Sequence, residues 1–168
     1  MFSIIIPLYN KQKSIIKTLQ SVQDQTLTQF EVIVIDDGST DSGFSIVQEM
    51  LNSDKRIRLL QKKNGGVSSA RNEGVRQSKY NLIAFIDADD LWEPNYLTEQ
   101  SHLISEFPSA ELWGCGWGII EDQIKKPVIH PDYPDGFKGV IKDYFRRKSQ
   151  TNLFWISSIV VSKTAIAK

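Results

Sequence analysis

An open, mostly parallel, doubly wound α/β sheet with helices on both faces is the fold that this sequence predicts, and three observations predict it. Apolar, β-branched runs recur at FSIIIPL, FEVIVID and NLIAFID, with a shorter one at RIRLL, and each gives way to a polar cluster. A helical pattern follows each cluster, so strands and helices alternate as they do around a parallel sheet. The runs are apolar at consecutive positions, which suits strands covered on both sides by those helices.

The elements follow in order. After FSIIIPL, a first helix is expected within Lys13 to Gln23, where Ile15, Leu19 and Val22 fall on one face at i, i+4 and i+7. FEVIVID ends in DDGSTD, where Gly38 permits a left-handed turn and Asp41 suits the N-cap of a second helix with Phe44, Val47 and Leu51 inward. RIRLL supplies another strand. GGVSSARNEG then opens a third helix near Gly66, with Val67, Ala70 and Gly74 on its packed face. NLIAFID runs into DADD, and a fourth helix is expected from Pro94, a favoured first-turn residue, to a point before Pro108.

Beyond Pro108, LWGCGWGII sets Trp113, Cys115, Trp117 and Ile119 against Gly114, Gly116 and Gly118, a strand with one bulky and one bare face. Glycine there marks the close approach of a backbone or ligand, or tight strand packing. KKPVIHPDYPDGFKG reads as a loop, GVIKDYFRRKS as a short helix and FWISSIVVS as a last strand.

The 168 residues suit one domain, 1–168, able to bury a core without disulfides. A net charge of zero argues against binding nucleic acid or a membrane surface through bulk charge. Cys115, the single cysteine, reads as a small core residue and leaves no disulfide framework or CxxC knuckle. MFSIIIPLYN has no basic leader, and no apolar run reaches the roughly 20 residues that span a bilayer. A cytosolic address is expected, with any membrane contact peripheral. SIVVSKTAIAK stops as a helix-compatible segment begins, so the domain is expected to be cut short there.

Ligands of an open α/β sheet bind outside the carboxyl ends of its strands, which here read PLYN, DDGSTD and DADD. In FIDADDLW, the carboxylates Asp87, Asp89 and Asp90 crowd one strand end and need a neutralising partner: a metal ion, a cationic side chain or solvent. On an extended backbone Asp87 and Asp89 point to the same side and suit Mg2+ or Mn2+, with positions left for water and phosphate. The alternative is a solvated turn in which Asp90 or Glu93 caps the next helix. At DDGSTD a carboxylate placed like Asp36 or Asp37 suits the N–H edge of a base, and turn chemistry alone is the alternative. Tyr9 suits the face of a base or a plain rim position. GGVSSARNEG offers backbone N–H groups to an anion at a helix start, although it lacks the Walker and GxGxxG spacings. Arg71, one turn in, suits a phosphate or the DADD carboxylates. His102 and His130 read as surface or packing residues.

Taken together and in this order, SIIIPLYN, VIVIDDGSTD, GGVSSARNEG and FIDADDLW resemble the family 2 glycosyltransferases, inverting enzymes of the GT-A fold, over roughly Phe2 to Phe107. The resemblance implies a nucleotide-sugar donor, with UDP favoured, lying across the first strand ends. It implies that Tyr9 flanks the base, Asp37 accepts from it, Pro7 shapes the first strand end and Arg71 contacts the nucleotide. Asp87 would lie near the ribose and metal, Asp89 on the metal, and the metal would be Mn2+ or Mg2+. A glycan or lipid-linked acceptor and a surface-polysaccharide or glycolipid pathway at the inner membrane face are further implications.

Members of that family use a later carboxylate as general base, and nothing after Asp143 is acidic. Glu121, Asp122, Asp132 and Asp135 come too early, so the base is expected beyond Lys168. The expected function is metal-dependent transfer of a sugar, with inversion, from a nucleotide diphosphate to an acceptor hydroxyl. One rival is a donor-binding domain without catalysis. The other, a nucleotidyltransferase, would carry a Gly-rich basic loop where this chain has LYNKQKS.

Overall fold

In the computed structural model, which describes residues 1–122, 124–129, 133, 136–141 and 154–167, the predicted alternation is present. β1 (Phe2–Leu8), α1 (Ile15–Gln23), β2 (Phe30–Asp36), α2 (Gly43–Met50), β3 (Ile57–Gln61), α3 (Val67–Gln77), β4 (Leu82–Phe85) and α4 (Tyr96–Glu106) come first. β5 (Leu112–Gly114), β6 (Trp117–Glu121), β7 (Ile124–Val128), a 3-10 turn at Ile156–Ser158, β8 (Ile159–Ser162) and α5 (Lys163–Ile166) follow. Six strands form one sheet in the order β3-β2-β1-β4-β8-β5, while β6 and β7 pair separately. β1 pairs in parallel with β2 and β4, and β2 with β3; β8 runs antiparallel to both β4 and β5.

Burial on both faces explains the unbroken apolar runs. Every residue of β1 and β2 is buried. Ile4, Ile6, Val32 and Val34 face the layer that holds Ile15, Leu19 and Val22 of α1, all fully buried. Their neighbours Ile33 and Ile35 face the other layer, with Ala70 of α3. Successive strand residues therefore serve opposite layers, as the two-residue repeat of a strand requires.

α3 presses closely on β1. A Cβ at Gly74 would stand 2.4 Å from Cγ2 of Ile5, itself fully buried. Gly74→Val is therefore expected to destabilise the fold by about 1–3 kcal/mol through overpacking. Urea unfolding measures it, and a midpoint equal to the parent's would show that α3 does not press on β1.

Several expectations are corrected. Val67 is 49% exposed, and α3 buries Ala70 and Gly74 instead. In α2, Val47 is buried while Phe44 and Leu51 are half-buried. α4 starts at Tyr96 rather than Pro94, whose carbonyl is held in the preceding turn by the Thr26 N–H at 2.8 Å. LWGCGWGII is two strands: β5 joins the main sheet and β6 leaves it to pair with β7. The segment read as a loop thus supplies a strand, an exposed one with Pro127 opposite Gly118.

Two glycines of that stretch do mark close approaches. A Cβ at Gly114 would meet the Phe154 ring at 2.6 Å, and one at Gly118 the Lys126 carbonyl oxygen at 2.8 Å. Cys115 is half-buried against the core, and burial pushes its thiol up to about 11, so it stays protonated at neutral pH. His102 is exposed. His130 and most of the helix read in GVIKDYFRRKS lie outside the described residues.

Candidate functional site

The carboxyl ends of β2, β1 and β4 lie side by side, and strand pairing explains why a cleft opens there. β1 pairs with β2 as far as Leu8 with Asp36, but with β4 only as far as Ile5 with Phe85. Pro7, buried and one residue before the end of β1, has no N–H to donate. It falls where β1 has β2 beside it but no longer β4, so the missing donor breaks no ladder bond to β4.

The four sequence motifs are tied to one another. Asn10, just past β1, takes a left-handed backbone with φ 52, a conformation that asparagine tolerates better than most residues. The DDGSTD turn holds it: Asn10 N–H donates to Ser39 Oγ at 3.1 Å, and Asn10 Oδ1 accepts from the Thr40 N–H at 2.8 Å. Asp41 is not the N-cap of α2, a place that Ser42 takes; its two oxygens accept from the N–H groups of Gly43 and Gln12, both at 2.9 Å. Ser14, at the start of α1, donates to the Ala88 carbonyl in DADD at 2.8 Å.

Asp36 is fully buried and accepts from Gln61 Nε2 at 2.9 Å. Asp37, 3% exposed, accepts from Lys62 Nζ at 2.6 Å, from Gly65 N–H at 3.1 Å and from Gly66 N–H at 2.7 Å. Burial acts to raise its pKa, but the hydrogen bonds from Lys62, Gly65 and Gly66 prevail and hold it below the ordinary carboxylate value. The N–H groups of GGVSSARNEG that the sequence offered to an anion thus meet a resident anion, the Asp37 carboxylate. Gly66 makes this possible with φ 86, which places its N–H toward Asp37 in a conformation that a side chain would strain.

At β4 each of the three carboxylates is engaged differently. Asp87 pairs with Arg71 at 2.5 Å, Asp89 with Lys11, and Asp90 accepts from Ser157 Oγ at 2.5 Å and Trp155 Nε1 at 2.7 Å. Ser157 Oγ also accepts from the Asp87 N–H at 3.0 Å, and its carbonyl accepts from Trp92 Nε1 at 2.6 Å. The backbone here is not extended: Asp90 N–H returns to the Asp87 carbonyl at 2.9 Å and closes a turn. Neither Asp90 nor Glu93 caps α4, because Asp90 is taken by the 155–157 segment and Glu93 pairs with Lys125.

Among the described residues no group of three His, Cys, Asp or Glu side chains stands ready to hold a metal. Asp87 and Asp89 supply the oxygen donors that a hard divalent ion takes, without the extended backbone that was expected to align them. They offer carboxylate oxygens with side chains 25% and 48% exposed, which leaves room for the water and phosphate oxygens that normally complete such a shell. Arg71 carries a buried Nε with no partner among the described residues, so its donors are not exhausted by Asp87. Tyr9 stands 48% exposed at the neighbouring strand end.

Lys11, Lys62, Trp155 and Ser157 were missed by sequence reasoning. Lys11 and Lys62 had a signal, each being a cation within three residues of a strand end that carries a motif. Ser157, 67 residues from Asp90, had none. Of the later carboxylates, Glu121 pairs with Lys126 at 2.6 Å on the β6–β7 hairpin and Asp122 sits in its turn with φ 49. Asp132 and Asp135 lie outside the described residues. No helix among the described residues is long and apolar enough to cross a membrane.

Comparison with known proteins agrees with this geometry. The chain matches the model of glycosyl transferase family 2 over residues 3–159. It is 44% identical over 104 residues to an uncharacterized glycosyltransferase of Rickettsia bellii (strain RML369-C), covering 62% of this chain and 15% of that protein. Of solved structures, S. aureus TarS 1-349 in complex with UDP-GlcNAc superposes with TM-score 0.73 and 24% identity, over 99% of this chain and 46% of that one. The mannosyltransferase PcManGT of Pyrobaculum calidifontis, in complex with GDP-Man and Mn2+, gives TM-score 0.73 at 20% identity, over 99% and 45%. The chain thus spans less than half the length of these proteins, and the two structures speak for the fold. It belongs to glycosyl transferase family 2 and folds as a GT-A domain.

Proposed function

We propose that this chain binds a nucleotide-sugar, with UDP as the nucleotide, across the ends of β2, β1 and β4, and serves metal-dependent, inverting transfer of the sugar to an acceptor hydroxyl. The observation that carries the reading is the acidic turn after β4, with two partly exposed carboxylates, Asp87 and Asp89, beside Arg71 and next to the strand end that carries Tyr9. The nucleotide-sugars held by TarS and PcManGT, and the Mn2+ of the latter, support it.

Asp87 and Asp89 would hold Mn2+ or Mg2+, and the bound ion would supply positive charge to a departing diphosphate. The Arg71 guanidinium, paired with Asp87, adds positive charge beside the same diphosphate. Tyr9 offers its ring to the base. Asp37 accepts from the base once Lys62, the one of its three donors on a flexible stem, swings away. Pro7 keeps the end of β1 clear of β4, and with it the cleft.

A groove of about 2370 Å³ is lined by residues that include Asp89, Asp90, Trp117, Ile119, Phe137 and Trp155. It suits a glycan or lipid-linked acceptor, whose hydroxyl would attack the anomeric carbon opposite the diphosphate. The general base falls to a carboxylate outside the described residues. A cytoplasmic setting, peripheral to the inner membrane face and within surface-polysaccharide or glycolipid synthesis, belongs to the same proposal.

Titration calorimetry with UDP and GDP in the presence of Mn2+ tests the donor half, with UDP expected to bind the more tightly. Tighter GDP binding would overturn the nucleotide assignment, and no nucleotide binding would overturn the whole reading. Acceptor-dependent UDP release, followed with a panel of UDP-sugars and a glycolipid extract, separates a transferase from a donor-binding domain.

A further inference from the structure

We infer that Lys11 is an exchangeable counter-cation of the acidic turn: its ammonium competes with a divalent ion for Asp89 and, once displaced, is placed to meet the donor's diphosphate. The inference rests on reading Asp87 and Asp89 as the metal carboxylates. Lys11 reaches Asp89 across 78 residues of sequence, from the end of β1 to the end of β4.

The frame around this pair is fixed. On one side Asn10 is held in its left-handed turn by Ser39 and Thr40. On the other, the Lys11 carbonyl accepts from the N–H groups of Ser14 at 3.1 Å and Ile15 at 3.0 Å, which opens α1. Ser14 Oγ then donates to the carbonyl of Ala88, the residue before Asp89. Lys11 and Asp89 are thus moored to one backbone frame, and the freedom between them lies in the lysine stem.

Chemistry separates this pair from its neighbour. The Lys11 and Asp89 side chains are 43% and 48% exposed, against 21% and 25% for Arg71 and Asp87. An exposed pair is weak and readily exchanged, whereas the more buried Arg71–Asp87 pair is the one that persists. An ammonium on a four-carbon stem redirects without backbone movement, unlike a guanidinium fork. If Asp89 takes a divalent ion, the ammonium is left facing that charge, and a diphosphate entering beside it is the nearest anion to which it can turn.

The test titrates the 168-residue chain with Mn2+ alone, followed by electron paramagnetic resonance of the free ion, and then with UDP at saturating Mn2+. Lys11→Gln is expected to bind Mn2+ about three- to fivefold more tightly than the parent, the range that an exposed ion pair can withhold. It should bind UDP about threefold or more weakly, while Lys11→Arg stays near the parent in the Mn2+ titration. Asp89→Asn is the control. If it loses Mn2+ while Lys11→Gln leaves either affinity at or on the wrong side of the parent's, the inference is overturned and the metal reading survives. If Asp89→Asn keeps the parent's Mn2+ affinity, the metal reading fails and the inference with it.

Discussion

Asp89→Asn is expected to take Mn2+-dependent UDP binding below detection in a calorimetric titration, with the fold unchanged by circular dichroism. Asp89 is one of the two carboxylates proposed to hold the metal, so its substitution removes half of that proposed protein charge. Loss of an outer partner of a metal ligand already costs about 10–100-fold in affinity, and loss of the ligand itself costs more. The fold should not notice, because Asp89 is 48% exposed and its partner Lys11 is 43% exposed. Surface substitutions of this kind stay within about 0.5 kcal/mol. Equal UDP affinity in variant and parent would return DADD to a purely structural turn.

Asp37→Asn should act on fold and site together. An asparagine keeps one acceptor oxygen but turns an N–H2 group toward donors that now meet a carboxylate: Lys62, Gly65 and Gly66. The expected loss is about 1–3 kcal/mol of stability at pH 7. UDP binding should weaken as the Gly65–Gly66 turn loosens. The sign with pH follows from a folded pKa held below its ordinary value of 3.8. The carboxylate's contribution is complete above that value and disappears as pH falls through the lower folded pKa. The stability gap between parent and variant, measured by urea unfolding, should therefore be open at pH 7 and close toward the acid end. A variant as stable as the parent at pH 7 would sink the prediction. Lost stability with unchanged UDP affinity would leave Asp37 a scaffold residue and remove its proposed contact with the base.

Much of the layered architecture was legible because burial on both faces leaves a mark that one sequence can show. Runs such as FEVIVID have no polar face, and Ile15, Leu19 and Val22 repeat at the helical interval that α1 buries. The family was legible because four motifs stand in order at strand ends. Partners across the fold were mostly not, Arg71 beside the DADD carboxylates excepted. Periodicity tells which way a residue faces but not what waits there, so the mutual hold of Asp37 and the Gly65 and Gly66 N–H groups went unread. KKPV looked like a loop because its charge and proline suit solvent, and β7 is indeed exposed along its length, a strand with no buried face to announce it. The DADD backbone was taken as extended, and the Asp90 N–H closing on the Asp87 carbonyl is a local bond that composition does not reveal.

The bond network at Ser157 also sets an order in time. Its hydroxyl fastens both the Asp87 N–H and the Asp90 carboxylate, and it comes 70 residues after Asp87 in the chain. A ribosome delivers the chain from its N-terminus, so β1 to β4 emerge while the acidic turn still lacks its fastening. Strand β8, which must slot antiparallel between β4 and β5, arrives directly behind Ser157. During synthesis the β1–β3 end of the cleft can therefore take shape first, while the acidic turn after β4 waits for the segment from Trp155 to Ser162 to dock.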